Sequence, residues 1–167
     1  AATCRIGPSE QVFPPFLFET FAVEDQGHRL ELGAWLGNIV ATFLVRQYYL
    51  DGPRRIQPEA GDVVIDAGGC FGDTALAFAP GLAEPESGSA SGGVDCIKMD
   101  IEGAERSALI GARATIARHK PKLAISGYHS EDDLIIIPML IKRLTPDYEI
   151  HIGHHTNFEW ETVVYAA

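Results

Sequence analysis

The feature that most narrows the folds open to this chain is Val63-Val64-Ile65-Asp66, an unbroken β-branched run closed by an acid and followed at once by Ala67-Gly68-Gly69-Cys70-Phe71-Gly72-Asp73-Thr74. A run apolar on both faces suits a parallel strand covered on both sides. The glycines then turn the backbone sharply and leave no Cβ in the way of a ligand, and Asp73 or Thr74 is placed to cap the helix that follows. Strand, glycine turn and helix make the repeating unit of an open α/β sheet, where ligands sit beyond the carboxyl ends of the strands. The spacing Asp-x-Gly-x-x-x-Gly differs from the dinucleotide pattern Gly-x-Gly-x-x-Gly, and its leading carboxylate would repel a pyrophosphate. It favours a cationic, phosphate-free ligand, of which S-adenosylmethionine, with its sulfonium and α-ammonium groups, is an example. The plainer alternative is a tight turn and nothing more.

The chain has 167 residues, 46% of them hydrophobic, enough for one domain with a real core and too few for two. The expected organisation is a single domain: an N-terminal arm and helix in 1–50, a core in 58–167, and a linker or missing segment in 80–93. A formal net charge of −10 argues against nucleic acid as a partner. The three cysteines, Cys4, Cys70 and Cys96, form neither a disulfide framework nor a zinc spacing. Apolar runs at 39–45 and 134–141 fall far short of the roughly 20 residues of a membrane span, and no charged-then-apolar leader opens the sequence. These features predict a cytoplasmic protein with a small-molecule substrate, no membrane partner and an oligomeric state that the sequence leaves open.

Along the chain, residues 1–21 read as an irregular arm packed by its aromatics, and residues 30–32 as a short strand after a turn at Gly27. Asn38 is placed to cap a helix running to about residue 50. After the turn cluster at 58–62 and the strand at 63–66, the pattern predicts a strand at 94–99 and a helix at 104–119, broken near Gly111. A further strand follows at 122–126, then a helix at 134–144 with Pro138 tolerable in its first turn or at a kink. Residues 148–152 and 162–165 read as a terminal hairpin.

The stretch Cys96-Ile97-Lys98-Met99-Asp100-Ile101-Glu102-Gly103-Ala104-Glu105 resembles the Lys-x-Asp-x-Glu-Gly-x-Glu signature of the FkbM family of S-adenosylmethionine-dependent methyltransferases, and residues 63–74 resemble that family's first motif. The similarity continues through Gly111-Ala112-Arg113, Tyr128-His129, Ile137-Pro138 and the closing Glu161-Thr162-Val163-Val164-Tyr165. It covers roughly residues 46–165, with 80–93 excepted. The resemblance implies a Rossmann-like class I methyltransferase sheet of order 3-2-1-4-5-7-6 with a C-terminal β-hairpin, S-adenosylmethionine as cofactor, and methyl transfer to a hydroxyl of a small metabolite or sugar. Family members place strands 2 and 3 where residues 80–93 hold no apolar run, so those strands are absent or omitted, and the remainder would order as 1-4-5-7-6. Joining the helix after strand 1 directly to strand 4 would reverse the usual right-handed crossover.

The residues just beyond the strands form the candidate site. Asp66 is expected near the cofactor's amino group, with Gly68, Gly72, Asp73 and Thr74 in the same cofactor turn and Asp100 at the next strand end. The resemblance puts a ribose-binding acid at the end of the missing strand 2, and Glu84 is what remains there. Asp100, Glu102 and His129 are the catalytic candidates: the carboxylates to orient a hydroxyl or accept its proton, the imidazole as general base. The carboxylates also offer hard oxygen ligands to a divalent cation, but no metal is assigned. Each has a plainer explanation: Glu102 and Glu105 as partners of a helix N-terminus, Asp100 as a cap, His129 as a solvated loop residue. Lys98 could snorkel at an edge or pair with Glu102 and is given no chemistry. Cys70 is read as packing and His154 with His155 as rim residues. Besides the methyltransferase, two functions stay open: a non-catalytic relic or interaction module, and a nucleotide-dependent oxidoreductase, against which Asp66 argues.

Overall fold

The computed structural model of the protein describes residues 2–8, 18–52, 55–79, 92–157 and 159–167. Three strands, β1 (Ala2–Pro8), β2 (Glu19–Asp25) and β3 (His28–Ala34), form an antiparallel sheet in that order. Asp25 pairs with His28, so the β2–β3 turn consists of Gln26 and Gly27, at φ 48° and 81°. Two successive positive φ angles match the right-handed twist of the flanking strands, and glycine adopts its angle at no steric cost. Phe21, Val23, Leu32 and Ala34 turn inward and pack on Ile39, Phe43 and Ala77. Residues 2–8 are therefore a strand, not the irregular arm read from sequence, and the third strand is longer than residues 30–32. Residues 9–17 of that arm lie outside the described residues.

The next helix also departs from expectation. A single α-turn, α1 (Leu36–Ile39), continues as a π-helical segment, Val40–Val45, and stops at Arg46, which is left-handed with φ 56°. Its N-cap is Trp35, so Asn38 lies inside the helix and caps nothing. The Trp35 ring covers Gly37, where a Cβ would fall 2.6 Å from a ring carbon. Arg46 ends the segment paired with buried Asp25 and stacked over the Tyr49 ring.

The second sheet contains β4 (Val64–Ala67), β5 (Cys96–Met99), β6 (Lys122–Ser126), β7 (Ile150–His154) and β8 (Thr162–Ala166). Its order is β4-β5-β6-β8-β7, with β4, β5 and β6 parallel and β8 antiparallel to β6 and β7. This is the 1-4-5-7-6 order expected of these strands, closed by the expected hairpin. Glu84, and the junction that decides the hand of the crossover into β5, lie outside the described residues.

Among the described residues four helices accompany this sheet: α2 (Asp73–Phe78), α3 (Glu105–Gly111), α4 (Arg113–His119) and α5 (Asp133–Leu144). Gly72, at φ 77°, is the N-cap of α2, which corrects the cap expected at Asp73 or Thr74. The break expected near Gly111 falls at Ala112. Pro138 sits well inside α5, beyond its first turn. The hydrogen bond it cannot donate would go to the carbonyl of Leu134, a residue 43% exposed, so water can serve that group.

One face of the sheet packs Ile97, Met99, Leu123 and Ile125 against Leu109, Ile116, Ile137 and Ile141 of α3, α4 and α5. On the other face Ala124, Val163 and Tyr165 meet Tyr48, Ile56 and Phe78. Each large aliphatic chain so buried contributes about 1.5–3 kcal/mol, and together they hold the carboxyl ends of β4, β5 and β6 in fixed relation. No helix among the described residues is long and apolar enough to cross a membrane.

Candidate functional site

Beyond those strand ends the chain encloses a cleft of about 730 Å³. Gly68 and Cys70 line it from the turn after β4, Asp73 and Thr74 from the start of α2, Lys98 from β5 and Asp100 from just beyond it, and His155, Trp160 and Glu161 from the β7–β8 connection. Trp35, Leu36, Val40 and Val45 supply an apolar wall from the helical segment after β3. Of the residues singled out in sequence, the structure thus brings Gly68, Asp73, Thr74 and Asp100 to one cavity. Asp66, Gly72, Glu102 and His129 are not among its lining residues, and Glu84 lies outside the described residues.

The turn after β4 is shaped largely by contacts within the protein. Gly68 has φ 80°, and a Cβ there would come within 1.7 Å of the Asp100 carbonyl oxygen; Gly72 has φ 77° and open space around it. Gly68 is thus required where two strand ends touch, and Gly72 by its left-handed backbone. Both Asp66 oxygens face protein groups: Oδ1 is 3.0 Å from Lys98 Nζ, and Oδ2 accepts the Thr74 hydroxyl at 2.5 Å. The Lys98 contact brings opposite charges together without hydrogen-bond alignment for Oδ1. Asp73 is buried and accepts the Thr42 hydroxyl at 2.6 Å. Burial pushes its carboxyl up from the ordinary range while the Thr42 hydrogen bond pulls it back.

Lys98 is the residue that sequence reading undervalued. It lies in a strand flanked on both sides, is almost fully buried, and pairs with Asp66, not Glu102. It also donates to the Gly68 carbonyl at 3.1 Å and sits 4.9 Å above the Tyr48 ring. A signal was present: a lysine within a run meant for burial must find a carboxylate, and β4 offers Asp66 in register with it. The partner could be identified only once β4 and β5 were known to be neighbours.

Asp100 anchors a second network. Tyr48 donates to Oδ2 at 2.7 Å and Tyr128 to Oδ1 at 3.1 Å. Burial first, and then the Asp100 charge, pushes both phenols well above their ordinary range, so both remain donors. His129 stands behind this arrangement, with Nε2 3.5 Å from Asp100 and Nδ1 3.0 Å from Glu105. Glu105, almost wholly buried at the start of α3, accepts the Ile101 backbone N–H at 2.8 Å. It therefore serves the turn before its helix. Glu102 points outward, its side chain 92% exposed on a left-handed backbone, 3.8 Å from His129. One donor atom from each of Asp100, Glu105 and His129 lies within 4.8 Å of the others; two tyrosines engage Asp100 and a backbone N–H engages Glu105, while His129 Nδ1 lies 3.0 Å from Glu105 without hydrogen-bond alignment.

Glu161 carried no role in the sequence reading. It has φ 62°, lines the cleft and keeps Oε2 buried with no hydrogen-bond partner among the described residues. Burial, then Asp100, raises its carboxyl above the ordinary range. Only an acid just before the last strand marks it in the sequence. His155 also reaches the cleft, as a rim residue should, and pairs through Nε2 with the Tyr165 hydroxyl at 2.7 Å. The Cys70 thiol is pushed up by partial burial and then by Asp73, which favours its unreactive form.

The cleft therefore combines apolar walls with three carboxyl groups, Asp73, Asp100 and Glu161, while the charge of Lys98 is met by Asp66. Such a lining suits a ligand with apolar parts and positive charge.

Residues 86–160 match the profile of the family described as Methyltransferase FkbM domain. A solved structure, Methyltransferase FkbM from Methylobacillus flagellatus KT, shares 51% identity over a match covering 44% of this chain and 20% of that one, with a TM-score of 0.43. The match thus spans about a fifth of that protein's length. No curated protein sequence matches the chain.

Proposed function

We propose that this chain, whose residues 86–160 carry the FkbM methyltransferase domain, is an S-adenosylmethionine-dependent methyltransferase that methylates a hydroxyl oxygen of a small molecule. The β4-β5-β6-β8-β7 sheet is then a Rossmann-like class I methyltransferase sheet whose strands 2 and 3 are not among the described residues. The observation that carries the reading is the cleft at the carboxyl ends of the parallel strands, where Asp73, Asp100 and Glu161 face a cavity whose lysine is already paired.

In this reading Gly68, Asp73 and Thr74 hold the methionine end of the cofactor, and Asp100 faces its positive charge. Bound S-adenosylmethionine would supply a methyl group on a positively charged sulfur. Asp66 acts from behind the cleft wall: it neutralises Lys98 and fixes Thr74, so that no uncompensated cation opposes the ligand. Tyr48 and Tyr128 hold Asp100 in place, with His129 and Glu105 in support. Aligning oxygen, methyl and sulfur is the main task of such a site, and the walls from Trp35 to Val45 position the acceptor.

Calorimetry with S-adenosylmethionine and S-adenosylhomocysteine tests the proposal. Both should bind, the cationic form with the stronger salt dependence. Absence of binding and of thermal stabilisation by either ligand at saturating concentration would overturn it and favour a non-catalytic module. One observation suits that second reading: β4 has a single strand neighbour among the described residues, so one wall of an adenosine pocket is not built by them.

A further inference from the structure

We propose that Glu161 is the general base of this cleft, the carboxylate that takes the proton of the acceptor's hydroxyl. The inference rests on the methyltransferase reading and adds the residue that handles the proton.

Among the carboxylates lining the cleft, Asp73 accepts the Thr42 hydroxyl and Asp100 accepts two tyrosine hydroxyls, whereas Glu161 keeps Oε2 unpaired. The other candidates are placed less well. His129 is outside the lining, its two nitrogens turned to Glu105 and Asp100, and Glu102 extends into solvent. Glu161 is also one of the non-glycine residues with a left-handed backbone, φ 62°, and its carbonyl is held by the His155 N–H at 3.1 Å. Non-glycine residues persist in that conformation when the surroundings over-determine it, which is common at functional sites.

The charged and titratable groups around Glu161 are Lys98 of β5, Asp100 just after it, Tyr48, Asp73 and His155 in the cleft lining, and Tyr128 and His129 after β6, outside that lining. Burial and then Asp100 favour its protonated form, while a hydrogen bond from Gln47 and the charges of His129 and Lys98 oppose them. A carboxyl held closer to neutrality is a better base for a hydroxyl than an ordinary one. Positive charge in the cleft favours the carboxylate, so a bound cationic cofactor shifts Glu161 toward the form that can take a proton. Glu161 then takes the hydroxyl proton as the acceptor oxygen bonds to the methyl carbon and the carbon–sulfur electron pair stays with sulfur.

The test needs no knowledge of the acceptor. Calorimetry over a series of pH values, each in two buffers of different ionisation enthalpy, counts the protons released on binding each ligand. In the wild-type protein S-adenosylmethionine should release more than S-adenosylhomocysteine at the pH values where Glu161 titrates. The difference should vanish in Glu161→Gln, persist in Glu102→Gln, whose side chain is exposed outside the cleft lining, and survive in part in Glu161→Asp. In a ¹³C-glutamate-labelled wild-type sample, one carboxyl signal titrating above the others should move to lower pH with S-adenosylmethionine and not with S-adenosylhomocysteine. Once an acceptor is in hand, Glu161→Gln should slow methyl transfer about 10²- to 10⁴-fold. An unchanged difference in Glu161→Gln, or no glutamate signal that responds to the cofactor's charge, overturns the role of Glu161 alone. Failure of the wild-type protein to bind either ligand removes the methyltransferase reading, and this inference with it.

Discussion

Ile65 and Ile97 are the same residue, in register on adjacent parallel strands, yet Ile97 is 1% exposed and Ile65 42%. β5 lies between two strands and beneath the α3–α4 pair, whereas β4 has β5 as its one neighbour among the described residues. Val63, just before β4, is equally open at 41%. On the opposite face the same pair of strands is closed, with Asp66 and Lys98 locked together under Thr74. The sheet is thus finished on the side that builds the cleft and unfinished at one edge of the other side. Identical chemistry in two strands acquires different energetic weight from position alone.

The strongest challenge to this comparison is Lys98→Met, which leaves Asp66 with the Thr74 hydroxyl and no cation. Breaking a buried pair from one side costs about 3–5 kcal/mol, so urea denaturation should show a loss of that order, with partial recovery in Lys98→Met/Asp66→Asn. A loss below about 1 kcal/mol, the level of an exposed pair, would mean that the pair is solvated. Next come the two isoleucines. Ile97→Ala should cost about 2–5 kcal/mol, and Ile65→Ala roughly 1 kcal/mol or less, because only part of its side chain leaves water. Equal losses would show that the outer face of β4 is covered in solution.

The smallest effect sharpens the view of the cleft side. The Glu161 carboxyl is raised in the folded protein above its reference value of 4.5, so the stability it contributes is complete below that value and is lost as pH rises through the folded value. Glu161→Gln should therefore match the wild type in acid, below that reference value, and exceed it at pH 7. Thermal melts at the two pH values check the sign, and a destabilised variant at pH 7 would contradict it.

Elements carried by local pattern were legible. The β-branched run at 63–66, the apolar strands β5 and β6, α5 and the closing hairpin all lie where their sequences place them, because period and turn chemistry act over a few residues. β1 was missed because Gly7 and Pro8 obscure it and its partners lie beyond residue 18, so pairing alone identifies it. Asn38 suggested a helix start that the chain passes over, since Trp35 lying on Gly37 sets the entry earlier. Gly68 was read as admitting a ligand, although its own packing on Asp100 already demands glycine.

The order of residues determined which segments become strands and helices, which strand ends carry acids, and which family signature residues 96–105 resemble. Tertiary structure decided what those acids do. Asp66 is spent on Lys98, Asp100 is held by two tyrosines distant in sequence, and Glu161 from the last connection enters the same cleft with an oxygen unpaired. Secondary structure follows from short-range sterics and periodicity, whereas the state of a carboxyl group depends on burial and on charges within a few ångströms, most of them brought there by remote parts of the chain.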